Sequence, residues 1–378
     1  MGLTFVSEPV RVSTPATSAN LGPGFDSLGL ALALYDDLTA RVTDGGFTVR
    51  IVGEGAGELP TDESHLVVRS MFAAFDELGG RPPGVAIECV NRIPQARGLG
   101  SSSAAIVGGI QLARALVGDL PLVGAVPESG GAPVKDAMPV RGRALAEGRA
   151  LVGGAALAEE RALAEGRALV EGRALVGGPA LAGGRALMGD AAALDLAARL
   201  EGHPDNVAPC LLGGFTIAWS VAAGARAVRL DTAAGVHPTV FVPTERGLTS
   251  TARAALPAGV PHADAAFNAG RSALLVHALT QAPDLLFPAT EDRLHQGYRA
   301  EAMPGTASLV AALRSVGVAA VVSGAGPSVL ALTEVPTDFR PGREWRTETL
   351  GVDSTGALVK GSMVGHAERG PVAAGRMS

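Results

Sequence analysis

The stretch RGLGSSSAAIVGG, residues 97–109, follows an apolar strand pattern at Val85–Val90 and opens a helical pattern from about Ser101 to Val117. The order strand, glycine-rich loop, helix is a strong constraint, because a helix N-terminus presents unpaired amide groups and the positive end of the helix dipole. Gly98 and Gly100 permit positive φ and a close approach of the backbone. The stretch predicts an anion site, and a loop that only caps a buried helix is the alternative.

The loop differs from two familiar phosphate-binding sequences. It lacks the Gly-Lys-Ser/Thr of a Walker A loop and the G-x-G-x-x-G of a dinucleotide-binding fold. The three serines at 101–103 add hydroxyl groups for phosphate or for Mg²⁺. The loop alone therefore does not identify its ligand, and other segments must decide.

The length of 378 residues favours two packed lobes over one core. Thr61 is a candidate N-cap for a helix that Gly79 ends. Strands and helices together predict an α+β fold with helices layered on sheets. The other strand patterns are Val10–Ser13, Leu28–Val42, Gly213–Ala218, Val228–Leu230 and the two flanks of the loop SGAGPS at 323–328, and the other helical patterns are Asp190–Leu200, Asn268–Leu279 and Gly305–Val316.

Residues 142–189 are eight consecutive hexapeptides, from GRALAE to GRALMG. Six residues turn a helix by about 240° beyond a full turn, so the leucines share no helix face. Each glycine opposes helix formation by about 1 kcal/mol. A small β-helix is the alternative, but the segment is too short for three coils of about 18 residues. With the Pro/Gly-rich stretch before it, this predicts a disordered low-complexity insert over 119–189.

Composition excludes several classes of protein. A net charge of −6 argues against a nucleic-acid binder, which presents a basic surface. Cys89 and Cys210 lie far apart and outside any metal-ligand spacing, so neither a disulfide scaffold nor a zinc module is expected. The N-terminus lacks the pattern of a secretory signal, and no uncharged apolar run reaches the length of a membrane span. We expect a cytoplasmic protein without a membrane or nucleic-acid partner.

Three segments stand in the order and spacing of the motifs of the GHMP small-molecule kinases: TPATSANLGPGFDSLG at 14–29, IPQARGLGSSSAA at 93–105 and SGAGPSVLAL at 323–332. A fourth, EGHPDNVAPCLLGGF at 201–215, resembles the homoserine kinases within that family. The resemblance covers nearly all of the chain except the insert and roughly the last forty residues.

The resemblance implies a two-lobed GHMP kinase fold, with helices packed on mixed or antiparallel sheets and the nucleotide cleft between the lobes. An ATP-binding N-terminal domain would comprise residues 1–118 and 190–235, and a C-terminal domain residues 236–378. The implied reaction is the ATP-dependent phosphorylation of the side-chain hydroxyl of L-homoserine to O-phospho-L-homoserine, a step toward threonine. ATP would be the co-substrate, with Mg²⁺, and the protein would be a homodimer.

The resemblance also implies particular residues. Asn20, Asp26, His203, Arg253 and Arg299 would bind homoserine, since a carboxylate suits an ammonium group and a guanidinium grips a carboxylate in two places. The catalytic positions would be Asn206, Thr249 and Arg253, and the glycine loop would use Gly324 and Gly326. The ATP-binding positions would be Pro94, Arg97, Gly98, Leu99, Gly100, Ser101, Ser102, Ser103 and Ala104.

Two departures bear on the chemistry. Asn206 stands where several GHMP kinases carry an aspartate base, so we expect catalysis by proximity and electrostatic stabilisation. Arg199 stands where homoserine kinases typically carry a glutamate that helps to bind Mg²⁺, and arginine cannot ligate a cation. The metal would then be held by Ser102 or Glu201, or activity would be impaired.

Two other functions stay open at this point. A GHMP kinase could act on another small alcohol, such as mevalonate or a sugar, although a neutral sugar would leave both arginines without a carboxylate partner. A nucleotide- or amino-acid-binding regulatory protein with impaired catalysis would account for Arg199 and the expanded repeat.

Overall fold

The structure is a computed structural model that describes residues 3–119, 181–182, 185–186, 188–247 and 249–360. Two larger sheets, the helices packed on them and one two-stranded pair form the described part. The strands are β1 (Val10–Ala19), β2 (Leu28–Thr43), β3 (Gly46–Gly53), β4 (Gly84–Asn91), β5 (Leu181–Ala182), β6 (Arg185–Ala186), β7 (Phe215–Val221), β8 (Gly224–Leu230), β9 (Thr239–Pro243), β10 (Ala320–Val322), β11 (Val329–Ala331), β12 (Trp345–Thr349) and β13 (Leu358–Lys360).

The helices follow the same chain order. Two short 3₁₀ turns, Pro283–Leu285 and Ala300–Ala302, adjoin the shorter helices of the second half. The α-helices are α1 (Leu66–Leu78), α2 (Ser101–Leu116), α3 (Asp190–Glu201), α4 (Val207–Leu212), α5 (Thr249–Ala254), α6 (His262–Thr280), α7 (Leu286–Ala289), α8 (Gln296–Arg299) and α9 (Pro304–Ser315).

The larger sheet has seven strands within the described residues, in the order β13-β1-β2-β4-β3, with β7 on β2 and β8 on β7. Its described pairs are antiparallel except β3 with β4. β2 pairs with β4 through residues 37–43 and with β7 through residues 28–30, so one long strand serves two neighbours. Helices α2 and α4 pack against this sheet, and α1 packs against α2.

Close packing of α1 on α2 depends on a glycine. A Cβ built on Gly109 of α2 would collide with the backbone carbonyl oxygen of Val67 and lie 3.0 Å from the backbone nitrogen of Met71, both in α1. The two helix backbones therefore approach more closely than any side chain at 109 would permit. This contact holds α2, and with it the glycine-rich loop, against the core.

The second sheet is antiparallel throughout its described pairs, in the order β10-β11-β9-β12. Helix α9 packs on β10 and β11. The loop SGAGPS connects β10 to β11 and reaches toward the first sheet, where Gly324 N–H donates to the carbonyl of Ala19 at 3.1 Å. The α+β fold with mixed and antiparallel sheets that the sequence predicts is confirmed.

The structure differs from the sequence predictions in two places. Helix α1 begins at Leu66 rather than after Thr61, because Asp62 accepts hydrogen bonds from the amide and hydroxyl of Ser64 and forms a turn first. The segment after residue 350 returns to the first sheet as β13, although the predicted boundary assigns 236–378 to the C-terminal domain. Most of the predicted insert, residues 120–180, lies outside the described residues, and β5 and β6 pair within its last part.

Replacing Gly109 with alanine tests the contact between α1 and α2. Gly109→Ala should lower the free energy of unfolding by about 1–3 kcal/mol, because the added methyl group forces the helices apart. The matched control is Gly270→Ala in α6, where a Cβ would meet no atom of the described residues within 4 Å. It should be neutral or stabilise by up to about 1 kcal/mol through helix propensity. Urea unfolding measures both, and equal effects of the two substitutions would contradict the packing argument.

Candidate active site

Segments that are distant in sequence surround a cavity of about 270 Å³. They include part of the loop after β1, the loop that leads into α2, and the loop between α3 and α4. Gly324 and Ala325 of the SGAGPS loop contribute, as do Arg253 of α5 and Arg299 of α8. The three GHMP-like motifs and the EGHPDN loop therefore meet at one place.

The N-terminus of α2 opens into this cavity. Gly100 precedes the helix with a φ of +70°, and a Cβ there would collide with the hydroxyl of Thr17. No side chain of the described residues caps the helix, so its first amides are free to bind an anion. Ser101 and Ser102 line the cavity. The arrangement can hold a phosphate group by backbone amides and the helix dipole.

Glu201 lies beside these serines. One of its carboxylate oxygens, Oε1, accepts hydrogen bonds from Oγ of Ser102 at 2.5 Å and from Oγ of Ser103 at 3.0 Å. Hydroxyl and carboxylate oxygens next to a phosphate site are hard donors of the kind that Mg²⁺ prefers. Within the described residues no cluster of three or more His, Cys, Asp or Glu forms a closed metal cage. An open site that shares its ion with phosphate fits this chemistry.

Arg199 lies away from the cavity. Its guanidinium group pairs with Glu77 of α1 and with Asp195 of α3 at 3.2 Å, and its side chain is 56% exposed. The adjacent Glu77 raises the pKa of Arg199. The arginine therefore serves an ion pair between helices and does not occupy the position of a metal ligand.

Opposite charges face each other at the other end of the cavity. Arg253 donates two hydrogen bonds to the carboxylate of Asp26, at 2.7 and 3.1 Å. Asn20 has a φ of +68°, donates to the carbonyl of Gly324 at 2.8 Å and accepts the amide of Asp26 at 3.0 Å. Arg299 lines the same cavity and is 1% exposed. The carboxylate of Asp26 and the guanidinium groups of Arg253 and Arg299 thus line one cavity.

The EGHPDN loop presents two further polar groups. His203 Nδ1 pairs with the carboxylate of Asp205, which is buried, and this hydrogen bond raises the pKa of His203. Asn206 Oδ1 accepts a hydrogen bond from the buried hydroxyl of Thr17 at 2.9 Å. The amide of Asn206 is therefore oriented by β1, and an amide side chain cannot accept a proton at neutral pH.

A second cavity of about 310 Å³ lies on the other side of the α2 N-terminus and shares Ala96, Ser101 and Ser102 with the first. Much of its lining is apolar, with Leu38, Leu59, Pro60, Leu66, Val67 and Ala105. Asp36 and His65 supply polar groups. Burial raises the pKa of Asp36 to about 6 and lowers the pKa of His65, whose Nδ1 is buried without a hydrogen-bond partner among the described residues.

Most of the predicted site residues line one of these two cavities. Those at the first are Asn20, Asp26, Gly98, Gly100, Ser101, Ser102, Glu201, His203, Asn206, Arg253, Arg299 and Gly324, and Ala104 lines the second. Ser103 reaches Glu201 without lining either cavity. Thr249 begins α5, and its side chain lies outside what the structure describes.

Four predicted residues do other work. Pro94 and Leu99 are buried, and neither lines the two cavities. The guanidinium of Arg97 donates to the carbonyls of Pro243 and Thr244, each at 2.8 Å, and so ties the loop before α2 to the end of β9. Gly326 lines a neighbouring cavity instead.

Sequence reasoning missed several residues at the site. Thr17 orients Asn206, and His65 faces the second cavity. His295 contacts Arg299 and could have been noticed, because it lies four residues earlier and therefore one helical turn away. Thr17 lies within the first motif, but nothing in the sequence alone indicates its contact with Asn206 or marks His65.

Comparison with known proteins agrees with this geometry. The family pattern described as the GHMP kinases N terminal domain matches residues 65–125, and the GHMP kinases C terminal pattern matches residues 266–340. The chain is similar to a homoserine kinase of Streptomyces coelicolor, with 48% identity over 95% of this chain and 96% of that protein. A homoserine kinase of Streptomyces avermitilis is 46% identical, over 95% of this chain and 98% of that protein.

A solved structure shares the fold. The crystal structure of a homoserine kinase from Cytophaga hutchinsonii matches with a TM-score of 0.67 and 22% identity, covering 95% of this chain and 99% of that chain. No helix in the described part of the chain is long and apolar enough to cross a membrane.

The pairing of His203 with Asp205 generates a pH prediction. Because the pKa of His203 is raised above its ordinary value of about 6.5, the pair stabilises the fold fully below that pH and loses this effect as the pH rises through the raised pKa. Asp205→Asn should lower the pKa of His203, measured by NMR titration of the imidazole. Asp231→Asn, which removes an exposed carboxylate paired with Arg229, is the control and should leave it unchanged. An unshifted His203 pKa in Asp205→Asn would contradict the assignment.

Proposed function

Because the chain belongs to the homoserine kinases of the GHMP kinase family, we propose that it transfers the γ-phosphoryl group of ATP to the side-chain hydroxyl of L-homoserine. The products are O-phospho-L-homoserine and ADP. The observation that carries the proposal is that the carboxylate of Asp26 and the guanidinium groups of Arg253 and Arg299 line the same cavity beside the α2 N-terminus.

These charges complement an α-amino acid. The carboxylate of Asp26 suits the substrate ammonium group, and Arg253 and Arg299 suit the substrate carboxylate. Asn20 can donate and accept, although its amide already bonds Gly324 and Asp26 and chiefly fixes the loop. In this proposal the substrate binds between Asp26 and Arg253. Its ammonium group replaces Arg253 as the partner of Asp26, and its carboxylate replaces Asp26 as the partner of Arg253.

Each of the two cavities suits a different substrate. The more apolar second cavity suits the nucleoside of ATP, and the amides of the first turn of α2 suit its phosphates. Ser101 and Ser102 belong to both cavities, so the terminal phosphate would reach the cavity that holds the amino acid.

Positioning accounts for most of the chemistry. Phosphoryl transfer requires an in-line approach of hydroxyl and phosphate and neutralisation of charge, with little covalent chemistry from the protein. Glu201, with Ser102, fits Mg²⁺, which when bound would neutralise charge on the phosphate oxygens. The free amides of the first turn of α2 would stabilise the same negative charge.

The amide of Asn206 is not a base that could accept the proton of the substrate hydroxyl. We propose that Asn206, held by Thr17, orients the hydroxyl, and that the proton passes to phosphate or solvent. His203 is held in its charged form by Asp205 over a wider pH range than a free imidazole, which suits charge stabilisation better than proton abstraction. Thr249 beside the reacting hydroxyl, a homodimer and a cytoplasmic location stay predictions.

The regulatory alternative loses one of its two motives. Arg199 is engaged by Glu77 and Asp195 outside the cavity. The expanded repeat, its other motive, lies mostly outside the described residues. A kinase for a neutral sugar would leave Arg253 and Arg299 without a carboxylate to bind.

A substrate panel tests the proposed function. ADP release with Mg²⁺-ATP should depend on L-homoserine and stay at the background rate with mevalonate, galactose or no acceptor, because only homoserine offers both an ammonium and a carboxylate group. Turnover of galactose comparable to that of homoserine would refute the charge-matching argument. Retained ATP binding without turnover of any acceptor would refute the proposed activity itself.

Paired substitutions test the metal ligands. Glu201→Gln should raise the Mg²⁺ concentration for half-maximal turnover by about tenfold or more. Removing even a residue that only supports a metal ligand weakens metal binding by about this factor, and loss of a direct ligand should weaken it at least as much. Arg199→Gln, the control two residues away, should leave that concentration within about twofold, because its side chain lies outside the site. A larger effect at Arg199 than at Glu201 would contradict this assignment.

A further inference from the structure

His295 lies at the centre of the contacts around Arg299. Its imidazole is fully buried, and its Nε2 lies 2.8 Å from the carbonyl oxygen of Gly22 in the loop that carries Asn20 and Asp26. Its Nδ1 lies 3.1 Å from Nη1 of Arg299. The imidazole therefore contacts both the loop after β1 and Arg299, which lie on two sides of the first cavity.

The two neighbours determine where the imidazole proton is. A carbonyl oxygen can only accept, so Nε2 carries the hydrogen and donates it to Gly22. A guanidinium group can only donate, so Nδ1 is unprotonated and accepts from Arg299. Both hydrogen bonds exist only for the neutral ring with the proton on Nε2.

The electrostatics of the pocket agree with a neutral ring. Burial lowers the pKa of His295, and the positive charge of Arg299 lowers it further. Asp292, whose Oδ2 lies 3.8 Å from Nε2, and Asp26 act in the opposite direction. The carboxylate of Asp292 also accepts the backbone amides of Leu294, His295 and Gln296, which fixes the turn on which His295 stands.

Arg299 needs such support. It is a long side chain in a buried setting, and holding its planar fork in one orientation costs rotamer entropy. Its Nε donates to the carbonyl of Ala252 at 3.1 Å, and its Cζ lies 5.5 Å from the ring centre of Phe25. The Phe25 ring also packs on His295, with 5.1 Å between ring centres.

The second terminal nitrogen of Arg299 takes part in none of the hydrogen bonds found among the described residues. With Nε bound to Ala252, and Nη1 bound to His295 and, at 3.5 Å, to the carbonyl of Gly324, the rotation of the guanidinium plane is fixed, and the donors of Nη2 are those available to a ligand in the cavity.

We infer that His295 is a positioning residue for substrate recognition: as a neutral hydrogen-bond acceptor at Nδ1, it orients the guanidinium of Arg299 toward the carboxylate of the amino-acid substrate. This inference rests on the proposed function. The carboxylate is remote from the hydroxyl that reacts, so the contact is the same in ground and transition states. Its loss therefore raises the KM for homoserine and leaves kcat nearly unchanged.

Two substitutions separate the two hydrogen bonds of His295. In His295→Asn the side-chain oxygen replaces Nδ1 and keeps an acceptor for Arg299, whereas in His295→Gln the amide nitrogen replaces Nε2 and keeps the donor to Gly22. His295→Asn should keep the homoserine KM within about threefold of the wild type, and His295→Gln should raise it by about tenfold or more, the scale of a lost hydrogen bond to a charged group. The kcat and the KM for ATP should stay within about twofold in both.

A second substrate separates positioning from general damage. 3-Aminopropan-1-ol has the hydroxyl and ammonium groups of homoserine and lacks its carboxylate. The wild type should use it far less efficiently than homoserine but measurably at high concentration, and His295→Gln should match that kcat/KM within about twofold, because no carboxylate is present for Arg299 to bind. Thermal unfolding of His295→Asn and of His295→Gln shows whether each variant folds. If one of them does not fold, the KM for homoserine of the other still tests the proposal.

The outcomes are distinct. A wild type that does not turn over homoserine overturns the proposed function and this inference with it. An active wild type whose His295→Gln variant loses kcat for both alcohols overturns the inference alone and assigns His295 to the general fold. His295→Gln behaving like the wild type while His295→Asn fails also overturns it, because the bond to Gly22 would then be the important one.

Discussion

The carbonyl and amide of Gly324 hold the site together. The amide donates to Ala19 at the end of β1, and the carbonyl accepts Nδ2 of Asn20, which lies 304 residues away in sequence. Next to it, the hydroxyl of Ser323 donates to the carbonyl of Gly98 at 2.7 Å, and a Cβ on Gly98 would collide with the carbonyl of Ser323. Backbone contact between three loops therefore brings the two sheets together and forms the cavity.

This assembly has a consequence for charge. Asp26 and Arg253 neutralise each other across the cavity, and Arg299 is supported by His295, Ala252 and Phe25. When a zwitterionic amino acid binds, the ion pair between Asp26 and Arg253 is replaced by two others: substrate ammonium with Asp26, and substrate carboxylate with the arginines. Neither Asp26 nor Arg253 is then left without a partner. A neutral alcohol offers no such exchange, so this arrangement selects against uncharged acceptors.

Much of this arrangement could be predicted from the sequence, because the residues of a motif indicate which backbone conformation and which close contacts that segment requires. The glycines before α2 and in the SGAGPS loop mark positions with positive φ and close backbone contacts, and a run such as Val85–Val90 marks a buried strand. The family resemblance then placed Arg253 and Arg299 together, which spacing alone could not do. Long-range pairings remained out of reach, such as β13 with β1, Thr17 with Asn206 and Arg97 with the end of β9.

Arg199 shows why a single departure from a motif is weak evidence. The sequence places it where a metal ligand is expected, yet a helix can turn that side chain toward another helix, and here it pairs with Glu77 of α1. The role of holding hard oxygen ligands near phosphate is available to Glu201, which bonds Ser102 and Ser103. Which neighbour a helical side chain faces depends on tertiary packing and not on its position in a motif.

A crystal structure with L-homoserine and a non-hydrolysable ATP analogue would test the central claim most directly. The account predicts the amino-acid carboxylate on Arg253 and Arg299, its ammonium on Asp26, its hydroxyl near Asn206, and the terminal phosphate on the first amides of α2. Homoserine bound outside this cavity, or bound there with its carboxylate turned away from both arginines, would contradict it.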